Sequence, residues 1–491
     1  MKNLIIIIGM LFWFQSANSQ QIYQEWLDSI DLFHDNDNAV DLLLSSDNNL
    51  YVLGNSVTSE GSSILLANYN DLGSNNWLKT LHIENGCYAN NFILCNYSSL
   101  YVVGAVNDFS INSKGFIAKF DLNGDTLWTR IIEHALNREV YFNSVVCDED
   151  GNVIVGGNSI IDSNSYHMDY IILKLNSSGD SLWTYIKTGD QDNQLYKVAL
   201  DSESNVIVVG DDCTFKLDTN GNMLWESEFG GWDCVLDSLN NIYVTDKFLT
   251  ACLSTNGDTL WSHQLIGSPI FHYSKSLVLT HNHELLVAGS SNVGDNDDNI
   301  FVIVYDSLGD SSLVIEYTSD TTPNGNSIDR VSNITIDQDN HIYLIGSSKG
   351  AVVLKFHHNG NLLWKHNYRS SDSLSDGGTS LCLDLSGNVY TVGNSQTITS
   401  FYWYDIIVQK ISQNICCIDF AGNIDNDLLD NIDIADLVFF VDFSFNGGTE
   451  PFCFEEADVD GTKSLDIGDI VYIVDYMFGS PQGPLPIKCL Y

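Results

Sequence analysis

The sequence predicts a mainly β protein: a β-propeller of eight four-stranded blades, with seven as the alternative count, followed by a small α-helical domain. Three observations predict it. One phrase, a Gly followed by three residues and then an aromatic or large apolar residue, recurs seven times. A second phrase, a polar turn followed by an apolar run that usually ends in Gly, recurs eight times and interleaves with the first. After about residue 414 the composition turns acidic.

The first phrase runs from Gly73 to Trp77, Gly124 to Trp128, Gly179 to Trp183, Gly221 to Trp225, Gly257 to Trp261, Gly309 to Leu313 and Gly360 to Trp364. Alternating strands such as Phe116-Ile117-Ala118-Lys119-Phe120 precede it, and alternation into Asn-Gly or Ser-Gly is a hairpin signal. The second phrase is exemplified by Leu50-Tyr51-Val52-Leu53-Gly54 and Val389-Tyr390-Thr391-Val392-Gly393. Gly54 and Gly393 lie 339 residues and seven intervals apart. The repeat of about 48 residues suits a four-stranded blade and exceeds leucine-rich or ankyrin units.

The count of seven against eight carries information. The last unit, ending at Asp405-Ile406-Ile407-Val408, has no Trp strand after it, whereas Gln24-Glu25-Trp26-Leu27 is such a strand without a unit. Trp26 is therefore expected to supply the outer strand of the last blade. Closing the ring in this way removes unpaired sheet edges. The units around residues 210–261 are compressed, which leaves seven blades as the alternative. Over residues 20–414 the chain resembles secreted bacterial β-propeller repeat proteins and, more loosely, the propeller of quinoprotein dehydrogenases, whose blades carry a similar Asp-x-x-x-Gly-x-x-x-Trp phrase. The resemblance implies a fold rather than an activity.

With 64 Asp+Glu against 20 Lys+Arg and a net charge of −44, the chain has few cations to neutralise phosphates, which argues against nucleic acid and anionic membranes as partners. Lys2, the apolar stretch from Leu4 to Phe14 and Ser16-Ala17-Asn18-Ser19 follow the order of a secretory signal peptide over residues 1–19, too short to span a bilayer. The expected location is extracellular or at the cell surface. Eleven cysteines then admit disulfides. Cys87 with Cys95 could bridge a hairpin; Cys453 with Cys489 or with the Cys416-Cys417 pair could staple the C-terminal region; Cys147 and Cys382 read as small buried hydrophobes.

Residues 415–491 hold 15 Asp+Glu against Lys463 and Lys488. Within them, Asp458-Val459-Asp460-Gly461-Thr462-Lys463-Ser464-Leu465-Asp466-Ile467-Gly468-Asp469 places oxygen side chains at positions 1, 3, 5, 9 and 12, with the Ser464 carbonyl at position 7. That spacing wraps a loop around Ca²⁺, a hard cation that takes six or more oxygens. Ile467, Ile470, Val471 and Val474 follow at helical spacing. The same text occurs upstream as Asn423-Ile424-Asp425-Asn426-Asp427, then Asp433 and Asp436, then an apolar run through Val441, with about two extra residues near Leu428-Leu429. Crowded carboxylates in duplicated loop-helix units point to two calcium ions.

The duplicated arrangement over about residues 417–480 resembles a type I dockerin, the two-calcium module that joins secreted proteins to cohesin-bearing scaffolds. The resemblance implies calcium ligation by Asn423, Asp425, Asp427, Asp433 and Asp436, and by Asp458, Asp460, Thr462, Ser464, Asp466 and Asp469. It implies a cohesin-like or other surface protein as partner, in a setting of polysaccharide degradation. Two departures bear on the partner: Lys463 replaces the family's Gly, and Ile434-Ala435 and Ile467-Gly468 replace its hydroxyl pairs.

No catalytic constellation stands out. The twelve histidines include no HExxH, the His357-His358 pair falls in a turn, and no nucleophile elbow is framed by strand and helix. The Trp residues read as blade packing, and the acidic runs at 35–38 and 295–299 as solvated turns. The reading that follows is an exported, non-catalytic binding protein whose propeller takes a protein or glycan. The alternative is a secreted propeller enzyme, a quinone-dependent dehydrogenase or a glycan-active hydrolase or lyase, with its site at the mouth of the ring.

Overall fold

The structure is a computed structural model. It describes residues 22–32, 36–58, 61–106, 113–133, 139–160, 168–188, 194–264, 271–294, 297–319, 329–348, 350–368, 376–397, 403–413, 421–425, 432–449, 451, 453–462, 464–479 and 483–486. The leader, Asp427, Lys463, Cys416, Cys417 and Cys489 lie outside them. Two compact units divide the chain, Ile22–Ser412 and Gln413–Tyr491.

The first unit is an eight-bladed propeller of four-stranded sheets. Blades 1 to 7 occupy residues 36–81, 87–132, 139–187, 195–227, 233–264, 271–317 and 330–368; blade 8 combines 376–413 with Ile22–Ile30. Each blade is an antiparallel meander, and its first strand touches the first strand of the next, from blade 1 round to blade 8 and back to blade 1. The expectation for Trp26 holds: Ile22–Ile30 is the outermost strand of the last sheet. The compressed units are complete blades, with strands of only four to six residues.

Both repeated phrases have a packing cause. In the first, the Gly closes a turn opened by Asp or its equivalent; the Asp121 carboxylate accepts from the backbone N–H groups of Asn123 and Asp125. Gly124, at φ 77°, lies against the Trp77 ring of the preceding blade, where a Cβ would come within 2.7 Å. Only glycine combines that φ with that approach. The indole N–H then donates into the neighbouring turn, as from Trp77 to the Leu122 carbonyl (3.1 Å) and from Trp128 to Ser177 (3.2 Å). Trp26 repeats the contact at the seam, packing on Gly73 and donating to the Asp71 carbonyl (3.0 Å). The phrase is thus a blade-to-blade lock, as expected of packing residues.

The Gly ending the second phrase sits opposite a β-bulge in the first strand. In blade 2 Gly104 pairs with Ala89, and the register shifts between Ala89 and Asn91. A Cβ on Gly104 would lie 2.0 Å from the Tyr88 carbonyl oxygen. Blade 5 supplies the converse: Thr245 stands where the others carry Gly, and its pairing with Asp233 has no bulge. The residue after this Gly bridges blades. Asn55 accepts from the Ala89 N–H (2.7 Å), and Asn394 from the Ala39 N–H (2.7 Å).

The second unit contains helices α1 (Ile434–Asn446), α2 (Phe454–Ala457) and α3 (Ile467–Phe478) among its described residues. They pack over a core that includes Ile424, Phe440, Cys453, Val459, Ile470 and Ile473. Ile424 and Val459 occupy matching places in the two acidic segments and are both buried.

Two cysteine expectations need correction. Cys95 is bonded to Cys147 of the next blade, not to Cys87, which is free and buried. Cys87 and Cys95 are the two ends of one nine-residue strand, about 26 Å apart in extended chain, and cannot meet. Cys147 is therefore a bridge, while Cys382 is a free thiol. Cys453 is also disulfide-bonded, to a partner outside the described residues.

Candidate functional site

The acidic segments of the second unit show the same construction twice. Asp433 and Asp466 take N-cap positions of α1 and α3, each accepting from the backbone N–H two residues on, Ala435 and Gly468, at 2.6 Å. Asp436 and Asp469, one turn inside, close the reciprocal capping box. Asp436 accepts from the Asp433 N–H (2.8 Å) and from the Asp425 N–H (3.1 Å). Asp469 accepts from the Asp466 N–H (3.0 Å) and from the Asp460 N–H (3.3 Å). The two inner carboxylates are buried and fold each loop back onto its helix.

In the second loop the carboxylates of Asp458, Asp460 and Asp469 place oxygens within 4.8 Å of one another. Asp458 and Asp469 are buried. Burial pushes the Asp469 carboxyl up to about 6 against its two N–H donors, and Asp460 and Asp458 add to the rise. Burial raises Asp436 in the same sense, with Asp425 contributing. Thr462 and Ser464 are exposed beside this group; their hydroxyls lie 3.0 Å apart, and Ser464 donates to Asp466 (3.0 Å). Asp466 belongs to the cap rather than to the carboxylate triad. In the first loop Asp425 approaches Asp436, Asn423 donates its N–H to Glu456, Asp433 caps α1, and Asp427 lies outside the described residues.

Sequence reasoning missed Glu456. Its buried carboxylate accepts from the Gly422 and Asn423 N–H groups (2.7 and 2.8 Å), tying the second half to the start of the first loop. A lone Glu beside Glu455 carries no periodic or motif signal.

A second cluster, Asp337, Asp339 and His341, lies in a turn of blade 7, with the His341 ring 5.4 Å from that of His357. Here the chain supplies its own partners, one of them a lysine. The Asp337 carboxylate meets His341 Nδ1 (2.9 Å), the Tyr343 hydroxyl (3.0 Å) and the Lys355 ammonium (3.5 Å). Burial opposes ionisation of Asp337, but His341 and Lys355 hold it down at about 2. The C-terminal unit differs: among its described residues there is no Lys, Arg or His. Of the acidic runs in the propeller, Asp298 is paired with Arg330 (2.9 Å).

The helices carry a second duplicated feature. Ile434, Val438 and Phe445 on α1 and Ile467, Val471, Val474 and Phe478 on α3 are 40–63% exposed. Their spacing of three, four and seven residues gathers each set on one helix face. Apolar side chains usually face a core; two outward stripes in one small unit are surface available to a partner.

No family model matches the chain, and no curated protein does. Solved structures with a similar course include a catalytically inactive virginiamycin B lyase from Staphylococcus aureus in complex with quinupristin (10% identity, TM-score 0.43, covering 79% of this chain and 99% of that one). The Pan2 WD40 domain of Neurospora crassa is similar at 9% identity and TM-score 0.43, over 80% of this chain and 96% of that one. The polysaccharide lyase Uly1 is similar at 10% identity and TM-score 0.43, over 77% and 90%. At these values the likenesses carry no inference about ligand or reaction. The strand pairing itself defines the class: an eight-bladed β-propeller accompanied by a small helical unit with two acidic loops.

Proposed function

We propose that this is an exported binding protein whose helical unit docks it to a partner protein in a calcium-dependent manner, while the propeller takes a glycan or protein ligand. One observation carries the docking half: α1 and α3 present matching exposed apolar stripes, each beginning at the residue after a loop-closing N-cap Asp. Calcium fits the donor set. All donors in the second loop are hard oxygens, and two of the three grouped carboxylates are buried. Asp458, Asp460, Thr462, Ser464, Asp466 and Asp469 would hold one ion. Asn423, Asp425, Asp427, Asp433 and Asp436 would hold the other. The ion supplies the positive charge that lets each loop fold against its helix.

Export rests on the leader-like residues 1–19 and on the disulfides at Cys95–Cys147 and Cys453, which suit an oxidising compartment. A cohesin-type scaffold protein is the partner that the duplicated loop-helix pattern suggests. The test immobilises the full chain and probes surface proteins of the source organism in millimolar calcium and in EDTA. A partner is expected to be retained in calcium and released in EDTA. Val438→Asp or Val471→Asp alone should leave retention in place, because the other stripe remains, and the double variant should abolish it. Equal retention in EDTA, or by the double variant, would overturn the proposal.

A further inference from the structure

The short blades leave an aromatic and cationic cluster open on the propeller. In a meander, the connections from second to third strand and from each blade to the next emerge on the same face of the ring. In blades 1, 3, 6 and 8 the second strand runs three to five residues beyond its Gly, to Thr58, Ile160, Gly294 and Thr397. In blades 4 and 5 it stops at Gly210 and Thr245, and residues 211–213 and 246–248 turn back at once. Among the described second strands these two end soonest, and that of blade 7 ends one residue beyond its Gly, at Ser347. Trp232 sits at this notch, between Tyr196 of blade 4 (ring centroids 6.1 Å apart) and two ammonium groups, Lys247 at 5.3 Å and Lys275 of blade 6 at 5.9 Å from its ring.

The site is built rather than incidental. Gly231 donates to the Gly210 carbonyl and Trp232 to the Thr245 carbonyl, both at 2.7 Å, so the backbone under the indole is fixed from two blades. Asp233 pairs with Lys197 of blade 4 and accepts from the Ser276 hydroxyl (3.0 Å) and Leu277 N–H (3.2 Å) of blade 6, locking the three blades together. Tyr196 and Lys275 occupy the bulges of their strands, where the register releases a side chain from the ladder. Lys247 and Lys275 are exposed and have no ion-pair partner among the described residues, in a chain with 64 acidic groups against 20 Lys+Arg. Among the described residues, carboxylates of the adjoining connections have other partners: Asp246 the N–H groups of Phe248 and Leu249, Asp211 that of Gln194, Asp212 the Tyr170 hydroxyl.

From this juxtaposition, and resting on the reading of the propeller as a binding module, we infer that the Tyr196–Trp232–Lys247–Lys275 cluster binds an acidic polysaccharide. The aromatic faces receive the C–H surface of a sugar ring, and the two ammonium groups receive its carboxylate or sulfate. Because the rest of the protein repels polyanions, recognition is confined to these short-range contacts.

The test measures binding of the full chain to polygalacturonate, a sulfated galactan, neutral dextran and poly-L-glutamate at fixed ionic strength. Polygalacturonate or the sulfated galactan should bind, dextran and polyglutamate should not, and Lys247→Ala/Lys275→Ala should weaken binding about tenfold, as expected for two exposed ion pairs. The two lysines are at the surface, so circular dichroism and melting of that variant should match the parent. Unchanged binding by the folded double variant, or binding of dextran alone, overturns the cluster while leaving a glycan-binding propeller. Polyglutamate bound as tightly as the acidic glycans overturns the sugar assignment. Retention of none of the four overturns both the cluster and the glycan reading.

Discussion

Lys410 and Asp71, 339 residues apart in sequence, form an ion pair of 2.6 Å across the seam of the ring. The ammonium is almost fully enclosed and also meets Glu25 at 3.0 Å. One cation of blade 8 therefore holds both the N-terminal strand that completes its own sheet and a carboxylate in the turn that Asn70 opens in blade 1. Burial alone would lower the Lys410 pKa, but Asp71 and Glu25 outweigh it and raise it. The Tyr390 hydroxyl donates to the same Asp71 carboxylate.

The seam should set global stability. Trp26→Ala removes a half-buried indole, its stacking on Tyr69 (5.7 Å between centroids) and its N–H bond to Asp71. A loss of about 2–3 kcal/mol is expected in denaturant unfolding. Because closure links the two ends of the sheet array, the transition should stay cooperative and shift as a whole. An unchanged midpoint would contradict the role given to the N-terminal strand.

Gly104→Ala places a Cβ 2.0 Å from the Tyr88 carbonyl oxygen, so backbone must move, at a cost of at least about 2 kcal/mol. Gly377→Ala is the control, since its Cβ would meet nothing closer than 3.9 Å. Equal melting temperatures for the two variants would show that the bulge does not require glycine.

Acid should loosen blade 7 through Asp337. Its folded pKa of about 2 lies below the ordinary carboxylate value of 3.8, so its stabilisation is complete above that value and is lost as pH falls through about 2. Partial exposure keeps the amount to about 1–2 kcal/mol. Asp337→Asn should flatten stability between pH 4 and 2, measured by urea unfolding at each pH. A slope identical to that of the parent would rule out this ion pair as its source.

The sequence was most legible where a residue type is forced by geometry at every repeat. Glycine under an indole and glycine opposite a bulge recur because nothing larger fits, so both phrases and the surplus strand at Trp26 could be read directly. The Cys95–Cys147 bridge was not legible: the partners sit on first strands of successive blades, 52 residues apart, and proximity of that kind appears only once the ring is closed. The capping roles of Asp433 and Asp466 were not legible as such: one carboxylate type serves both a helix cap and a ligand position, and the pattern does not distinguish them. Lys247 and Lys275 carry no motif, since their nearness to Trp232 comes from a connection within blade 5 and the first strand of blade 6 both meeting the segment that joins blades 4 and 5.

The central functional claim is that the paired acidic loops take up calcium. Isothermal titration of the chelator-treated full chain with calcium tests it most directly. Binding of two ions is expected, with one site lost in Asp458→Ala/Asp460→Ala and a melting temperature that rises with calcium in the parent, because an ion held only by the folded state stabilises it by mass action. No heat of binding at millimolar calcium, together with identical melting in calcium and EDTA, would contradict it.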